Sequence, residues 1–313
     1  MDEKKISFFK NRRLIQGFST LVSNIHLPNF VKGTIYTGKL KKVCLPGLNC
    51  YSCPGATGAC PIGAFQAVVG GKNFSFSYYI SGILIFLSLL VARLICGFIC
   101  PFGFFQDLVY KIPFKKYSTK KLKPLRYIKY LIMIFLVWGL VAITANKSGI
   151  SIPYFCKYVC PQGILEGALP LSLANPSIKS ALGKLFYFKF SILALTIFLS
   201  IIFYRPFCKW ICPLGAFYSL FNKISLYQIH FDKEKCIACG KCLRACKMDV
   251  NVIKDQAHPE CIRCNDCVRA CPTGALFTSV DKLKNKSERK IINENEKTSS
   301  PCASCKSKST CSM

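Results

Sequence analysis

Acidic side chains are scarce: 14 Asp and Glu stand against 43 Lys and Arg in 313 residues, a formal net charge of +29. Histidine is rarer, with three. Only His26 falls in an apolar stretch, so the chain cannot itself supply both axial imidazoles of a membrane haem. A C-x-x-C-H sequence is absent, which excludes c-type haem attachment. So is a G-x-G-x-x-G between strand and helix, which excludes that dinucleotide fingerprint. No RNA- or DNA-binding module is present, so the basic excess carries no nucleic-acid reading. No small-residue cleavage site follows MDEKKISFFKNRR, and no secretory signal is expected. No set of proton-transfer side chains stands out, so chemistry on a bound substrate is not expected.

Cysteine is what the chain has in excess. Its 21 cysteines sit in C-x-x-C and C-x-x-x-C groups followed by proline, unlike the dispersed framework of a small secreted domain. Metal ligation is the leading reading, and bound thiolates would offset part of the formal charge. Hydrophobic residues make up 51% and mean hydropathy is +0.33, which points to the lipid bilayer. Apolar stretches near 78–95, 127–145 and 185–204 approach the roughly 20 residues a membrane helix needs. The stretch 14–31 is long enough but carries Asn24, His26 and Pro28; it either spans or lies in the interface. The 111–129 loop holds eight Lys and Arg, against five in 31–77 and four in 146–184. The positive-inside rule then puts 111–129 in the cytoplasm and the other two segments outside.

Residues 85–112 and 197–224 are identical at 14 of 28 positions. The shared frame is C-x-x-I-C-P-x-G-x-F. A fainter pair, Cys60-Pro61-x-Gly63 and Cys160-Pro161-x-Gly163, makes the order a parallel repeat about an axis along the membrane normal. Cysteines four apart share a helix face, so Cys96 and Cys100 can meet Cys208 and Cys212 across a twofold and supply four thiolates to one cubane. The prolines interrupt the helix ladder, and Arg93 and Arg205 either offset cluster charge or snorkel to the interface.

Residues 236–246 and 261–272 have the C-x2-C-x2-C-x3-C spacing of a two-cluster ferredoxin, whose fourth cysteine serves the other cluster. Cluster one takes Cys236, Cys239, Cys242 and Cys271; cluster two takes Cys261, Cys264, Cys267 and Cys246. Lys247 stands where the motif usually has Pro. The remaining set is Cys44, Cys50, Cys53, Cys60, Cys156 and Cys160. Analogy with the inner site selects Cys53, Cys60, Cys156 and Cys160 for an outer cluster. The alternatives are Cys44, Cys50, Cys53 and Cys60 from one loop, or disulfides. Inner and outer sites would lie nearly the roughly 30 Å hydrocarbon thickness apart.

The expected fold class is an α-helical multi-pass membrane protein with an internal parallel repeat, followed by an α+β two-cluster ferredoxin-like domain. The division is a membrane domain over 1–225, the ferredoxin domain over 226–280, and a polar, disordered tail over 281–313 with Cys302, Cys305 and Cys311. Two, three or four [4Fe–4S] clusters follow, depending on which membrane sites are filled.

These motifs resemble the polyferredoxin-like membrane proteins of the NapH/NosR type. The carrying residues are Cys96/Cys100-Pro101, Cys208/Cys212-Pro213 and the eight ferredoxin cysteines, over roughly 78–275. CLPGLNCYSCPGATGACPIGAFQ looks like a variant found in anaerobic bacteria. The resemblance implies electron transfer between a soluble ferredoxin or membrane quinone pool and a partner reductase subunit, from a multi-pass protein of the cytoplasmic membrane with its ferredoxin domain in the cytoplasm. The Cys156/Cys160 pair and the missing flavin domain depart from that pattern. A metal-handling or maturation factor and a redox sensor are the rival readings.

Overall fold

The computed structural model describes residues 12–70, 75–148 and 152–283; the tail cysteines lie outside this range. Helix α1 (Arg12–Ser23) leads to a Cys-rich loop and then to α2 (Pro61–Val69), α3 (Ser75–Leu90), α4 (Leu94–Phe98) and α5 (Pro101–Val109). A helical run, α6 (Lys120–Ala145), follows, with a π-helical segment at Met133–Gly139. Next come α7 (Gly163–Ala174), α8 (Lys184–Ile202), α9 (Pro206–Trp210) and α10 (Pro213–Leu220). The last part has β1 (Ile229–Phe231), α11 (Lys241–Ala245), α12 (Asp266–Arg269) and β2 (Leu276–Thr278). Strands β1 and β2 pair antiparallel, Ile229 opposite Thr278, and close the C-terminal unit on itself.

Among the described residues two helices, α6 and α8, are long and apolar enough to cross a membrane. Both present apolar side chains outward, among them Leu131, Phe135, Trp138, Leu195 and Phe198. The other two expected spans are shorter. Helix α3 has 16 residues, about 24 Å at 1.5 Å per residue. The 14–31 stretch forms the 12-residue α1 and then a one-turn helix at Pro28–Lys32. Helix α1 is amphipathic in an inverted sense: Arg12, Gln16 and Ser23 face inward while Leu14, Phe18 and Leu21 are exposed. Gln16 donates to the Gly97 carbonyl at 2.9 Å, and Ser19 to that of Ile99 at 3.0 Å.

The repeat is visible in the backbone. Helix α3 ends in a turn where Ala92 has φ +44°, and α8 ends where Arg205 has φ +50°; both are left-handed conformations uncommon outside glycine. The chain then makes a short helix, reaches a cysteine, and starts a new helix at proline, whose missing N–H costs nothing at a first turn. Arg93 and Arg205 are fully buried and cross the repeat. Arg93 donates to the carbonyl of Cys208 at 3.3 Å, and Arg205 to that of Cys96 at 2.5 Å. Snorkelling is therefore not their role.

Each arginine has an acid. Arg93 pairs with Glu260 at 2.8 Å, and Lys129 joins the same carboxylate. Arg205 pairs with Asp107 at 2.7 Å, with Arg12 at 2.5 Å from it. Burial alone would raise the Asp107 carboxyl, but Arg205 and then Arg12 hold it well below the usual carboxylate range. A carboxylate depressed in the fold stabilises above its ordinary pKa and loses that contribution as pH falls through the folded value. Asp107→Asn leaves the fully buried Arg205 without its anion and Arg12 with only the longer pair to Asp266 at 3.6 Å, and we expect a loss of about 3–5 kcal/mol near neutral pH. Thermal melts from pH 7 downward should show the gap between wild type and variant narrowing in acid; a constant gap would assign the loss to packing.

Candidate iron–sulfur centres

The four Cys-Pro motifs share one backbone shape. Cys60, Cys100, Cys160 and Cys212 have φ between −66° and −69° and ψ between 112° and 130°. In each C-P-x-G the glycine amide, third after the cysteine, points at its sulfur; Gly215 N to Cys212 Sγ is 3.3 Å. The proline cannot donate and the glycine admits close neighbours. A Cβ on Gly103 would meet the Cys96 carbonyl at 3.0 Å and the Arg205 guanidinium at 3.3 Å.

Cys96, Cys100, Cys208 and Cys212 lie together, close enough that they would repel one another as thiolates. Leu48 N–H reaches Cys100 Sγ at 3.4 Å and Gln106 Nε2 reaches Cys208 Sγ at 3.2 Å. Tyr218 occupies the place of Gln106 in the second repeat, near Cys96, and donates to the Pro46 carbonyl at 2.9 Å. Burial pushes the Cys100 thiol up to about 12, so four thiolates together require a cationic core. Iron supplies one, since a coordinated thiol is deprotonated outright. Backbone N–H donors aimed at the sulfurs fit a ligated cluster equally well, because they stabilise negative charge there. Among the described residues no three His, Cys, Asp or Glu close around a single ion; a cubane spreads its ligands over four corners.

The C-terminal unit gathers its cysteines in the two crossed sets. Cys236, Cys239, Cys242 and Cys271 line one cavity with Phe231, Ile253 and Leu276. Cys246, Cys261, Cys264 and Cys267 interact with one another instead. The two runs repeat at the backbone: Ala238 and Arg263 have φ +52° and +51°, Gly240 and Asn265 have +68° and +61°. Arg263 breaks the repeat in chemistry. Fully buried, it donates to Ser225 Oγ and the Asn222 carbonyl, both at 2.5 Å. Asn222 in turn donates to the carbonyls of His258, Pro259 and Cys261. The unit is thus docked tightly on the helical part. The Cβ of an alanine at Gly97 would meet the Ile262 carbonyl oxygen at 2.7 Å, which puts the Cα atoms of Cys96 and Cys261 within roughly 14 Å by chain geometry.

None of the 18 described cysteines is disulfide-bonded, so the disulfide alternative for the outer set finds no support. The outer set itself differs from the expected one at one cysteine. Cys50 rather than Cys53 faces Cys60, Cys156 and Cys160, while the Cys53 thiol donates to Asn24 Oδ1 at 3.3 Å. The separation of the sites by a membrane thickness is also overturned. Leu48 N–H bonds Cys100 Sγ, and the next amide, of Asn49, bonds Cys60 Sγ. Adjacent amides bring those sulfurs within about 11 Å. The segments assigned outside by charge fold back into the helical core, where Cys44, Cys60, Cys96, Cys100, Cys160 and Cys212 share one apolar cluster.

A 4Fe-4S binding domain family model matches residues 58–77, 73–120, 130–169 and 185–233, and two further 4Fe-4S binding domain models match 228–253 and 259–277. The putative electron transport protein YccM of Escherichia coli is 25% identical over 178 residues, 54% of this chain and 45% of the relative. The ferredoxin-type protein NapH of Haemophilus influenzae is 25% identical over 182 residues, 56% of this chain and 54% of the relative. The chain is a polyferredoxin similar to NapH. This polyferredoxin is also 30% identical over 179 residues to an uncharacterized protein of Methanocaldococcus jannaschii, 54% of this chain and 57% of the relative. The aligned part thus spans about half the length of these relatives. No solved structure matches. The matched domains assign it several [4Fe–4S] clusters.

The residues that sequence reasoning missed are those that cross between repeats or units: Asp107, Glu260, Gln106, Asn222 and Arg263. For the two acids, Asp107 and Glu260, the one sequence signal was the scarcity of carboxylates. In so basic a chain, a carboxylate at the end of an apolar motif is there to meet buried cations.

Proposed function

We propose that this polyferredoxin is a membrane-bound relay for single electrons. Cluster one would be held by Cys236, Cys239, Cys242 and Cys271, cluster two by Cys246, Cys261, Cys264 and Cys267, and a third by Cys96, Cys100, Cys208 and Cys212. The observation that carries the reading is the docking of the cluster-two loop on the third set: Cys246 and Cys264 pack against the apolar cluster that contains Cys96, Cys100 and Cys212. When bound, each cluster accepts and returns one electron. The protein's own groups fix the path and dilute the charge, Arg93 and Arg205 at the third site, Arg263 and Asn222 at the joint.

The outward apolar faces of α6 and α8 support placement in a membrane, since a patch of that extent exposed to water is rare in soluble monomers. The basic 111–129 loop supports a cytoplasmic ferredoxin unit, because Thr119 donates to Asp249 of that unit at 2.9 Å. The electron donor and acceptor would be a reduced ferredoxin, a quinone or a reductase subunit. Anaerobically reconstituted protein in liposomes should be reduced by a soluble ferredoxin and reoxidised by a quinone within one mixing experiment. Asn222→Ala should slow that passage several-fold while leaving iron content intact. Clusters that neither accept nor release electrons with these carriers would defeat the relay and favour a maturation role.

A further inference from the structure

Four cysteines outside that relay form a site of the same design. We propose that Cys50, Cys60, Cys156 and Cys160 hold a fourth [4Fe–4S] cluster, adjacent to the one at Cys96, Cys100, Cys208 and Cys212. What this cluster does rests on the relay reading; its existence does not.

Cys60 and Cys160 both have the backbone shape of Cys100 and Cys212, and both sulfurs face the amide of the glycine three residues on. The two halves then interlock. A Cβ on Gly63 would sit 3.8 Å from Cys156 Sγ, and one on Gly163 would sit 3.9 Å from Cys50 Sγ. Each C-P-x-G turn therefore lies against the first cysteine of the opposite half. This crossing selects Cys50 over Cys53, although Cys50 is ten residues before Cys60 and Cys156 only four before Cys160. Six extra residues let the loop reach the same point. Its position is fixed by Glu166, which accepts the Cys50 amide at 3.1 Å.

The two other cysteines of the loop have separate roles. Cys53 is tied to Asn24. Cys44 lies beyond Cys60 in a parallel bridge with Ala59, its thiol directed to the Leu45 carbonyl. A cation completes the comparison. Lys189 extends from the apolar helix α8, donates to the Cys156 carbonyl at 3.0 Å, and would lie 3.2 Å from a Cβ on Gly163. Arg205 has the same relation to the Cys96 carbonyl and Gly103. Ionisable side chains on apolar membrane helices commonly mark sites of function; here the charge lies beside Cys50 and Cys156. Cluster ligation makes these thiols thiolates and gives the lysine its anion.

Consecutive amides join the two centres, Leu48 to Cys100 and Asn49 to Cys60. One electron would leave the reduced third cluster and be accepted by the oxidised fourth, with no bond made and no proton moved.

The test is iron and acid-labile sulfide in the full chain, reconstituted anaerobically in detergent, with paramagnetic resonance of the dithionite-reduced protein. Wild type should hold about sixteen irons per chain, and the double variant Cys50→Ala/Cys160→Ala about twelve. Its spectrum should lose the magnetic broadening that an adjacent cluster imposes on the third centre. Cys44→Ala and Cys53→Ala should keep the full content, which guards against a general effect of altering the loop. A wild-type content near twelve, or equal losses from Cys53→Ala and from Cys50→Ala, would overturn the assignment. Carrier turnover is a separate measurement, so the relay can fail while the fourth cluster stands.

Discussion

Cys100→Ala is expected to remove or convert one cluster and leave both ferredoxin clusters unchanged, with Cys212→Ala giving the same result. In the proposed third centre each would supply one thiolate from its half of the repeat, and each sulfur accepts a backbone N–H that fixes its position. Ligands of one centre act as a unit, so the double variant should lose little more iron than either single variant. If the four cysteines were only buried hydrophobes, each replacement would leave a small cavity, cost about 1 kcal/mol and change no iron. Iron analysis of the two singles and the double decides between these. Losses that add in the double variant would mean two independent sites and would break the shared centre.

Gly97→Ala is expected to act on a different quantity, the rate of electron passage. The new methyl group would lie 2.7 Å from the carbonyl oxygen of Ile262. That oxygen is backbone, flanked by Cys261 and the docked Arg263, so the cluster-two loop must move away. Overpacking of this kind costs about 1–3 kcal/mol, and the displaced loop lengthens the step between cluster two and the third centre. Electron passage in stopped-flow mixing should slow several-fold while iron content stays at the wild-type level. Gly82→Ala is the control, since nothing lies within 4 Å of a Cβ there. Equal rates in Gly97→Ala and wild type would show that electrons do not cross at this contact.

The two ferredoxin cysteine sets were readable because their spacing is short and local. C-x2-C-x2-C-x3-C fixes three sulfurs around one centre through a single turn and sends the fourth to the neighbour. The grouping of Cys96, Cys100, Cys208 and Cys212, the proposed third centre, was suggested by repetition: an identical C-x-x-I-C-P-x-G-x-F frame 112 residues apart places two equivalent pairs without any knowledge of the path between them. Helices α6 and α8 followed from apolar length alone.

Tertiary structure decided what depends on where loops end. Charge bias reports which side a loop favours, not how deeply it folds back, so the sequence set Cys60 and Cys100 a membrane thickness apart where two consecutive amides join them. Choosing Cys50 over Cys53 was beyond spacing, because both sit in one irregular loop and the choice rests on which sulfur meets Gly163 across the repeat. Helix α1 read as a span or an interfacial helix, and its buried Arg12 and Gln16 find partners in Asp107, Gly97, Tyr204 and Asp266, all more than 80 residues on. A pattern with short period is written in neighbouring residues and survives in the sequence. A contact between distant segments is fixed by packing, and only the folded chain brings its two halves together.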